Sequence, residues 1–277
     1  MANSRPLTGQ VAWVTGSSRG LGRVIATHLG RLGASVVVHG TTPTSARAFG
    51  EAESLDHVAR AVAAETGGRV LGVWGDLTDE REVEAAVEKI RRELGPIEVL
   101  IANAGGDIGP AGAMAPRGGK PERNDGVFIS VADLRAVLDR NLLSCILTCR
   151  AVAPEMMARR SGRIVTVGSV AGLHGRAEGI MYATAKAAVH EYTRCLAVQL
   201  RPYDVAVNCI APGGTLTPRF LATGQGEPDV LAKGEALEGY GRPEDIARAV
   251  EFFVTEGGRH VSGQVLRVDG GAQTWPA

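Results

Sequence analysis

The chain has 277 residues, 44% of them apolar and 22% charged, enough to bury a sizeable core in one large α/β domain or two small ones. Thirty basic residues balance thirty acidic ones, which removes the electrostatic footprint of a nucleic-acid or anionic-membrane binder. No apolar run approaches a bilayer span, the leading MANSRPLTGQ lacks an apolar signal core, and four cysteines show no metal-ligand spacing, so a reduced, cytoplasmic protein without a metal site is expected.

Short β-branched runs alternate with Ala-, Leu- and Arg-rich helical patterns along the whole length. VAWVT (11–15) is followed by a helix over 20–32, and SVVVH (35–39) by one over 44–66. RVLGVWG (69–75) leads into a helix over 79–94, and IEVLIAN (97–103) into a Gly- and Pro-rich stretch, 106–130, before a long helix over 131–159. GRIVTVG (162–168), a helix over 181–201, VAVNCIA (205–211), a helix over 243–256 and GQVLRVD (263–269) complete the series. Cys145 and Cys149, one helical turn apart, read as small buried residues. Most strand candidates are apolar without alternation, so both of their faces should be covered, as in a parallel sheet. The rhythm continues from Val11 to Val268 with no shift in composition. It predicts one α/β domain over 1–277: a doubly wound Rossmann fold with a seven-stranded, mainly parallel sheet flanked by helices.

Between the first strand and helix stands Gly16-x-x-x-Gly20-x-Gly22. Glycine is needed where a turn takes positive φ and where backbone approaches a pyrophosphate, which the helix N-terminus attracts. The acid that commonly accepts from an adenosine ribose is missing after the second strand: Gly40 holds its place, followed by Thr41 and Thr42. With Arg19 inside the glycine turn, this pattern favours NADP over NAD, because a carboxylate would repel a 2′-phosphate and these groups would bond it. Asp76, past the third strand, is a candidate acceptor for the adenine amino group or an N-cap. Asn103 and Gly105 end the fourth strand, beside a ribose or simply as a turn.

Tyr182 and Lys186 lie four residues apart on one helix face, and Ser169 stands just beyond the fifth strand, where ligands of open parallel sheets bind. A phenol is a poor base at neutral pH unless a cation stabilises its phenolate, and Lys186 would supply that cation. Ser169 would hydrogen-bond a substrate oxygen whose charge changes. Each residue alone has a bland explanation; their joint occurrence after a glycine turn fits hydride transfer to a carbonyl.

With Thr15, Gly16, Gly20, Gly22, Asp76, Asn103-Ala104-Gly105, Asn141, Ser169, Tyr182-x-x-x-Lys186, Asn208 and Pro212-Gly213, the chain resembles the short-chain dehydrogenase/reductase family over nearly its whole length. Within that family it is similar to the 3-oxoacyl-[acyl-carrier-protein] reductase type. The resemblance implies that Tyr182 is the general acid in reduction and the base in oxidation. Lys186 would bind the nicotinamide ribose, and Asn141 would hold a water in a relay to Lys186. It extends the cofactor set to Ser18, Leu21, Leu77 and Ala104, places Pro212 and Gly213 at the nicotinamide amide, and puts Thr215 or Thr217 near the phosphates. It also implies a homo-oligomer, tetramer or dimer, joined through the helices at 131–159 and 181–201 and the last strand.

Two segments depart from that pattern: the long stretch 106–130 and the short Gly-rich segment at about 213–241, which signals no large hydrophobic substrate. The first is expected to be a lid or pocket wall, or else a plain surface insertion, with Arg117, Lys120 and Arg123 as possible contacts for an acidic substrate. His174 is a possible substrate contact or an exposed loop residue. The leading function is an NADP(H)-dependent oxidoreductase that interconverts a ketone and a secondary alcohol. The alternatives are an NAD-linked alcohol dehydrogenase of the same fold and a catalytically silent nucleotide-binding sensor or scaffold.

Overall fold

The structure, a computed structural model, describes residues 5–275. Seven strands form one sheet: β1 (Val11–Val14), β2 (Ser35–Gly40), β3 (Val70–Trp74), β4 (Val99–Ala102), β5 (Gly162–Val167), β6 (Val205–Pro212) and β7 (Val265–Val268). Their order is β3-β2-β1-β4-β5-β6-β7, and every pairing is parallel. Parallel neighbours need crossovers, which the helices supply. These are α1 (Gly20–Arg31), α2 (Leu55–Thr66), α3 (Glu80–Glu93), α4 (Val131–Leu138), α5 (Ser144–Arg159), α6 (Ile180–Leu200), α7 (Pro218–Ala222), α8 (Pro228–Leu231) and α9 (Pro243–Val254).

The period of two along each strand divides the core. Val14, Val36, Val38, Ile101 and Val165 point to the face covered by α1, α2 and α9. Trp13, Val37, Leu100 and Ile164 point to the face covered by α3, α5 and α6, where Cys145 and Cys149 are buried. The strand order reverses between β1 and β4, leaving a crevice at the carboxyl ends where crossovers run to opposite sides.

Two expected helices change shape. The one read over 44–66 is a kinked 3-10 turn over Ser45–Gly50, then α2 from Leu55. Phe49 and Gly50 take positive φ there, and Ser54 restarts the helix as N-cap, accepting from His57 N at 3.1 Å. The long helix at 131–159 is interrupted by a π turn over Asp139–Leu143, centred on Asn141. The segment 213–241 folds as α7 and α8, closed at its base where Thr215 pairs with Gly241. Thr217 caps α7, accepting from Phe220 N at 3.1 Å, and the Phe220 and Tyr240 rings meet edge-on at 4.9 Å.

Candidate active site

A cleft of about 720 Å³ runs along the carboxyl ends of the sheet, from Arg19 at one end to Tyr182 and Tyr240 at the other. At its head Gly16 and Gly20 take φ of +62° and +53°, the conformation that demanded glycine. A Cβ on Gly22 would lie 2.5 Å from both Asn103 Nδ2 and Gly16 O, and one on Gly16 would lie 2.9 Å from Ala104 Cα. The backbone of the turn is thus pressed against the end of β4, and its glycines form a cradle at the N-terminus of α1 to which they add no side chain of their own. That cradle and the length of the cleft fit a dinucleotide.

His39 and Thr15, polar residues at the ends of apolar strands, hold this turn. His39 Nδ1 accepts from Gly16 N at 3.1 Å, while its Nε2 lies 3.1 Å from Gly75 O. Burial, outweighing the bond to Gly75, pulls its imidazole down to about 4, so the ring is neutral and carries its proton on Nε2. Thr15 Oγ1 accepts from the backbone of both Asn103 and Ala104 at 2.9 Å. Asn103 spends its own amide on the carbonyls of Thr15 and Gly16, at 2.9 and 3.3 Å, so its side chain braces the turn.

Ser18, Leu21, Gly40, Thr41, Asp76 and Leu77 all line the cleft; Thr42 does not, and its hydroxyl turns to Ser45 at 3.2 Å. A Cβ on Gly40 would lie 3.0 Å from Ser45 Cβ and 3.2 Å from Ser18 Cβ, so a side chain there would press on both serines. Asp76 is not the cap of α3, which is Asp79; it accepts from Thr78 through Oδ1 at 2.8 and 2.9 Å. Arg19 donates to Ser45 O at 2.7 Å. Beside it stands Glu51, whose Oε2 accepts from Gly20 N at 2.8 Å. Sequence reading missed this carboxylate, because only the kink at Phe49 and Gly50 folds it back onto the glycine turn.

At the other end Ser169, Tyr182 and Lys186 converge on the cleft with Gly105, Pro212, Gly213, Thr215 and Thr217. Lys186 is buried, donates to Val167 O at 2.7 Å, and holds its ammonium 5.7 Å from the centre of the Tyr182 ring. Ser169 Oγ accepts from Ala171 N at 3.1 Å, which leaves its hydroxyl proton for a partner in the cleft. Its backbone N–H donates to His190 Nε2 at 3.3 Å. Burial, aided by the charge on Lys186, drags the His190 imidazole down to about 4. His190 repeats the spacing of Tyr182 and Lys186 by one more turn, a signal that could have revealed it.

Asn141 is buried behind this site and does not line the cleft. Its Oδ1 accepts from Gly106 N, and its Nδ2 donates to Gly106 O and Val137 O, all at 2.8 Å. Both amide protons are thus committed to backbone carbonyls. Asn208 likewise works in the scaffold, bonding Val261 O and Gln264 N at 2.8 and 3.1 Å. Thr217 and Thr215 spend their hydroxyls on Phe220 N and Gly213 O.

The stretch 106–130 forms a wall of the cleft through Asp107, Ile108 and Lys120. Arg219 of α7 clamps it, donating to Asp107 O at 2.8 Å and Gly118 O at 3.2 Å. Of the three cations expected there, only Lys120 lines the cleft; Arg123 lies over the Phe128 ring at 5.5 Å, and Arg117 is exposed. His174 lines the cleft, its Nδ1 2.8 Å from Gln273 Nε2. Among the described residues no His, Cys, Asp and Glu side chains gather as a metal cluster, and no helix is long and apolar enough to cross a membrane.

A doubly wound parallel sheet with a glycine cradle at its switch point defines a Rossmann-type dinucleotide-binding protein. The family model described as short chain dehydrogenase matches residues 10–227. The chain belongs to that family. It is 38% identical to a cyclohexanol dehydrogenase of Rhodococcus sp. (strain TK6), over 98% of both chains. It is 32% identical to a 3-oxoacyl-[acyl-carrier-protein] reductase of Aquifex aeolicus, over 96% of this chain and 98% of that one. Among solved structures, a 7α-hydroxysteroid dehydrogenase complexed with NADH and 7-oxo glycochenodeoxycholic acid superposes with a TM-score of 0.81, at 30% identity and 98% coverage of both chains. The chain is accordingly an oxidoreductase of the alcohol/carbonyl couple that uses a nicotinamide cofactor.

Proposed function

We propose that the protein interconverts a secondary alcohol and a ketone with NADP(H), Tyr182 serving as general acid and base. The observation that carries this reading is that Ser169, Tyr182 and Lys186 line the same cleft as the glycine cradle. The bound nicotinamide supplies or accepts the hydride at the carbonyl carbon. Tyr182 hands its phenolic proton to the carbonyl oxygen in reduction and takes it back in oxidation. Lys186, fixed by Val167 O, holds its ammonium 5.7 Å from the centre of the Tyr182 ring. Ser169 donates its free hydroxyl proton to the same substrate oxygen, and His190 sets the orientation of Ser169 through its backbone. Asn141 is a positioning residue that fixes Gly106 and the cleft wall.

The adenosine end supports NADP through Arg19, Ser18 and Thr41, with no acid at Gly40. A second reading, NAD, is favoured by Glu51, a carboxylate at Gly20 N that would repel a 2′-phosphate. The similarity to a cyclohexanol dehydrogenase points to an alicyclic secondary alcohol or ketone as substrate. The test is a screen of cyclic ketones and alcohols followed by nicotinamide absorbance, with NADPH and NADH in parallel. Turnover with the phosphorylated cofactor in excess over NADH supports the first reading; the reverse selects the second. Tyr182→Phe should lower kcat about a hundredfold or more, and full activity in that variant would refute the assigned acid.

A further inference from the structure

The substrate end of the cleft holds more positive charge than the proposed chemistry uses. Lys186 is committed to Val167 O and the Tyr182 ring, and Arg219 to the carbonyls of Asp107 and Gly118. Lys120 and Arg176 remain, both lining the cleft. Lys120 is half-buried, and among the described residues its ammonium has no protein hydrogen-bond partner. Burial pushes that ammonium below its ordinary range; Arg219, Arg117 and Arg176 push the same way, and Asp107 alone opposes them. Arg176 is exposed and commits only its Nε, to Glu178 O at 2.6 Å, so the two terminal nitrogens of its fork are open to solvent or a ligand. Asp107 is the one carboxylate among these cations; Asn124 takes its Oδ2 at 2.6 Å, and its Oδ1 is buried with no partner.

Gathering like charges at a partly dry site costs free energy unless an anion joins them. Around Lys120 a single carboxylate, Asp107, stands against three further cations, Arg219, Arg117 and Arg176. Both Lys120, half-exposed, and Arg176, exposed, face the open side of the cleft, where an anionic ligand can reach them. A guanidinium fork binds a planar carboxylate through two parallel bonds, and an ammonium beside it adds a point charge.

We propose that Lys120 and Arg176 form a subsite for a carboxylate carried by the substrate, so that the enzyme acts on a hydroxy or oxo acid whose alcohol or carbonyl carbon sits at Tyr182. This rests on the proposed function for the reacting end and adds the far end of the substrate. The stretch 106–130 contributes Lys120, which gives the insertion a specificity role.

The test measures binding apart from turnover. Wild type saturated with oxidised cofactor is titrated calorimetrically with cyclohexanecarboxylate and, as an uncharged control, cyclohexanecarboxamide. The acid should bind about tenfold more tightly, the effect of one partly desolvated charge pair. Lys120→Gln combined with Arg176→Gln should abolish that preference while cofactor affinity, read by fluorescence, reports that the cleft is folded. Arg123→Ala, outside the cleft, should keep it. Equal binding of acid and amide by wild type, or a preference that survives the double substitution, overturns the subsite. Oxidation of 4-hydroxycyclohexanecarboxylate is followed alongside. Tight, Lys120-dependent binding of the acid without any turnover would uphold the subsite and count against the proposed reaction instead.

Discussion

Gly105 illustrates how single residues hold this site together. A Cβ there would lie 2.5 Å from Asn141 Oδ1 and 3.3 Å from Lys186 Nζ, so the end of β4 approaches both only because the side chain is missing. Gly105→Ala should therefore lower stability by about 1–3 kcal/mol and reduce kcat, read by urea unfolding and steady-state rates. A variant with wild-type stability and rate would show that the contact relaxes freely. Tyr182, Lys186 and Ser169 could be picked out by residue type and spacing, since chemistry dictates both. His190 shares that spacing, one turn further along, but its role, like those of His39, Glu51 and Arg219, is not given by spacing. Each acts through a neighbour distant in the chain: His39 through Gly16, Glu51 through Gly20, His190 through Ser169 and Arg219 through Asp107.

Among the elements, the wall built from 106–130 and α7 carries the most that is particular to this chain. The wall closes on itself where Gly109 N donates to Gly119 O at 2.9 Å, and Arg219 pins it to the substrate-side segment. Gly179 N, just before α6, donates to Asn124 O at 2.8 Å and ties the far end of the wall to the helix bearing Tyr182. Deleting residues 109–124 should raise the substrate KM far more than it weakens the cofactor, because the glycine cradle and its braces lie elsewhere. Fluorescence titration of the cofactor beside substrate kinetics separates the two. Equal losses would mean that the wall is needed for folding. The π turn at Asn141 is a second device at this scale. The stretch 131–159 holds no glycine or proline near Asn141 that would mark the wider turn in advance.

For the molecule as a whole, two buried histidines couple stability to pH. His39 and His190 each have folded values of about 4, below the roughly 6.5 of an unfolded histidine. A depressed value means that the unfolded chain binds the proton first. The stability contributed by the neutral rings is present above about pH 6.5 and is lost as pH falls toward 4. Within that window each histidine should remove about 1.4 kcal/mol per pH unit, and urea unfolding at pH 7, 6 and 5 measures the slope. His190→Gln should flatten it by about half; an unchanged slope would show that His190 is not the group responsible. The homo-oligomer expected from the family resemblance belongs to this scale too, and sedimentation giving more than one chain mass checks it.

The sequence by itself determined the alternation of strands and helices, the parallel sheet, the glycine turn and the Tyr182, Lys186 and Ser169 constellation. These follow from local propensity, side-chain period and residue chemistry, all of which are written along the chain. Boundaries shifted where single residues intervened, as at the kink of Phe49 and Gly50 before α2. Only the tertiary structure decided that a side chain at Gly40 would press on Ser18 and Ser45, that Glu51 returns to the glycine turn, and that Lys120 and Arg176 line the cleft while Arg117 and Arg123 do not. Those facts depend on contacts between segments far apart in the chain. Such contacts are set by how the cleft closes in three dimensions, and no local period along the chain encodes them.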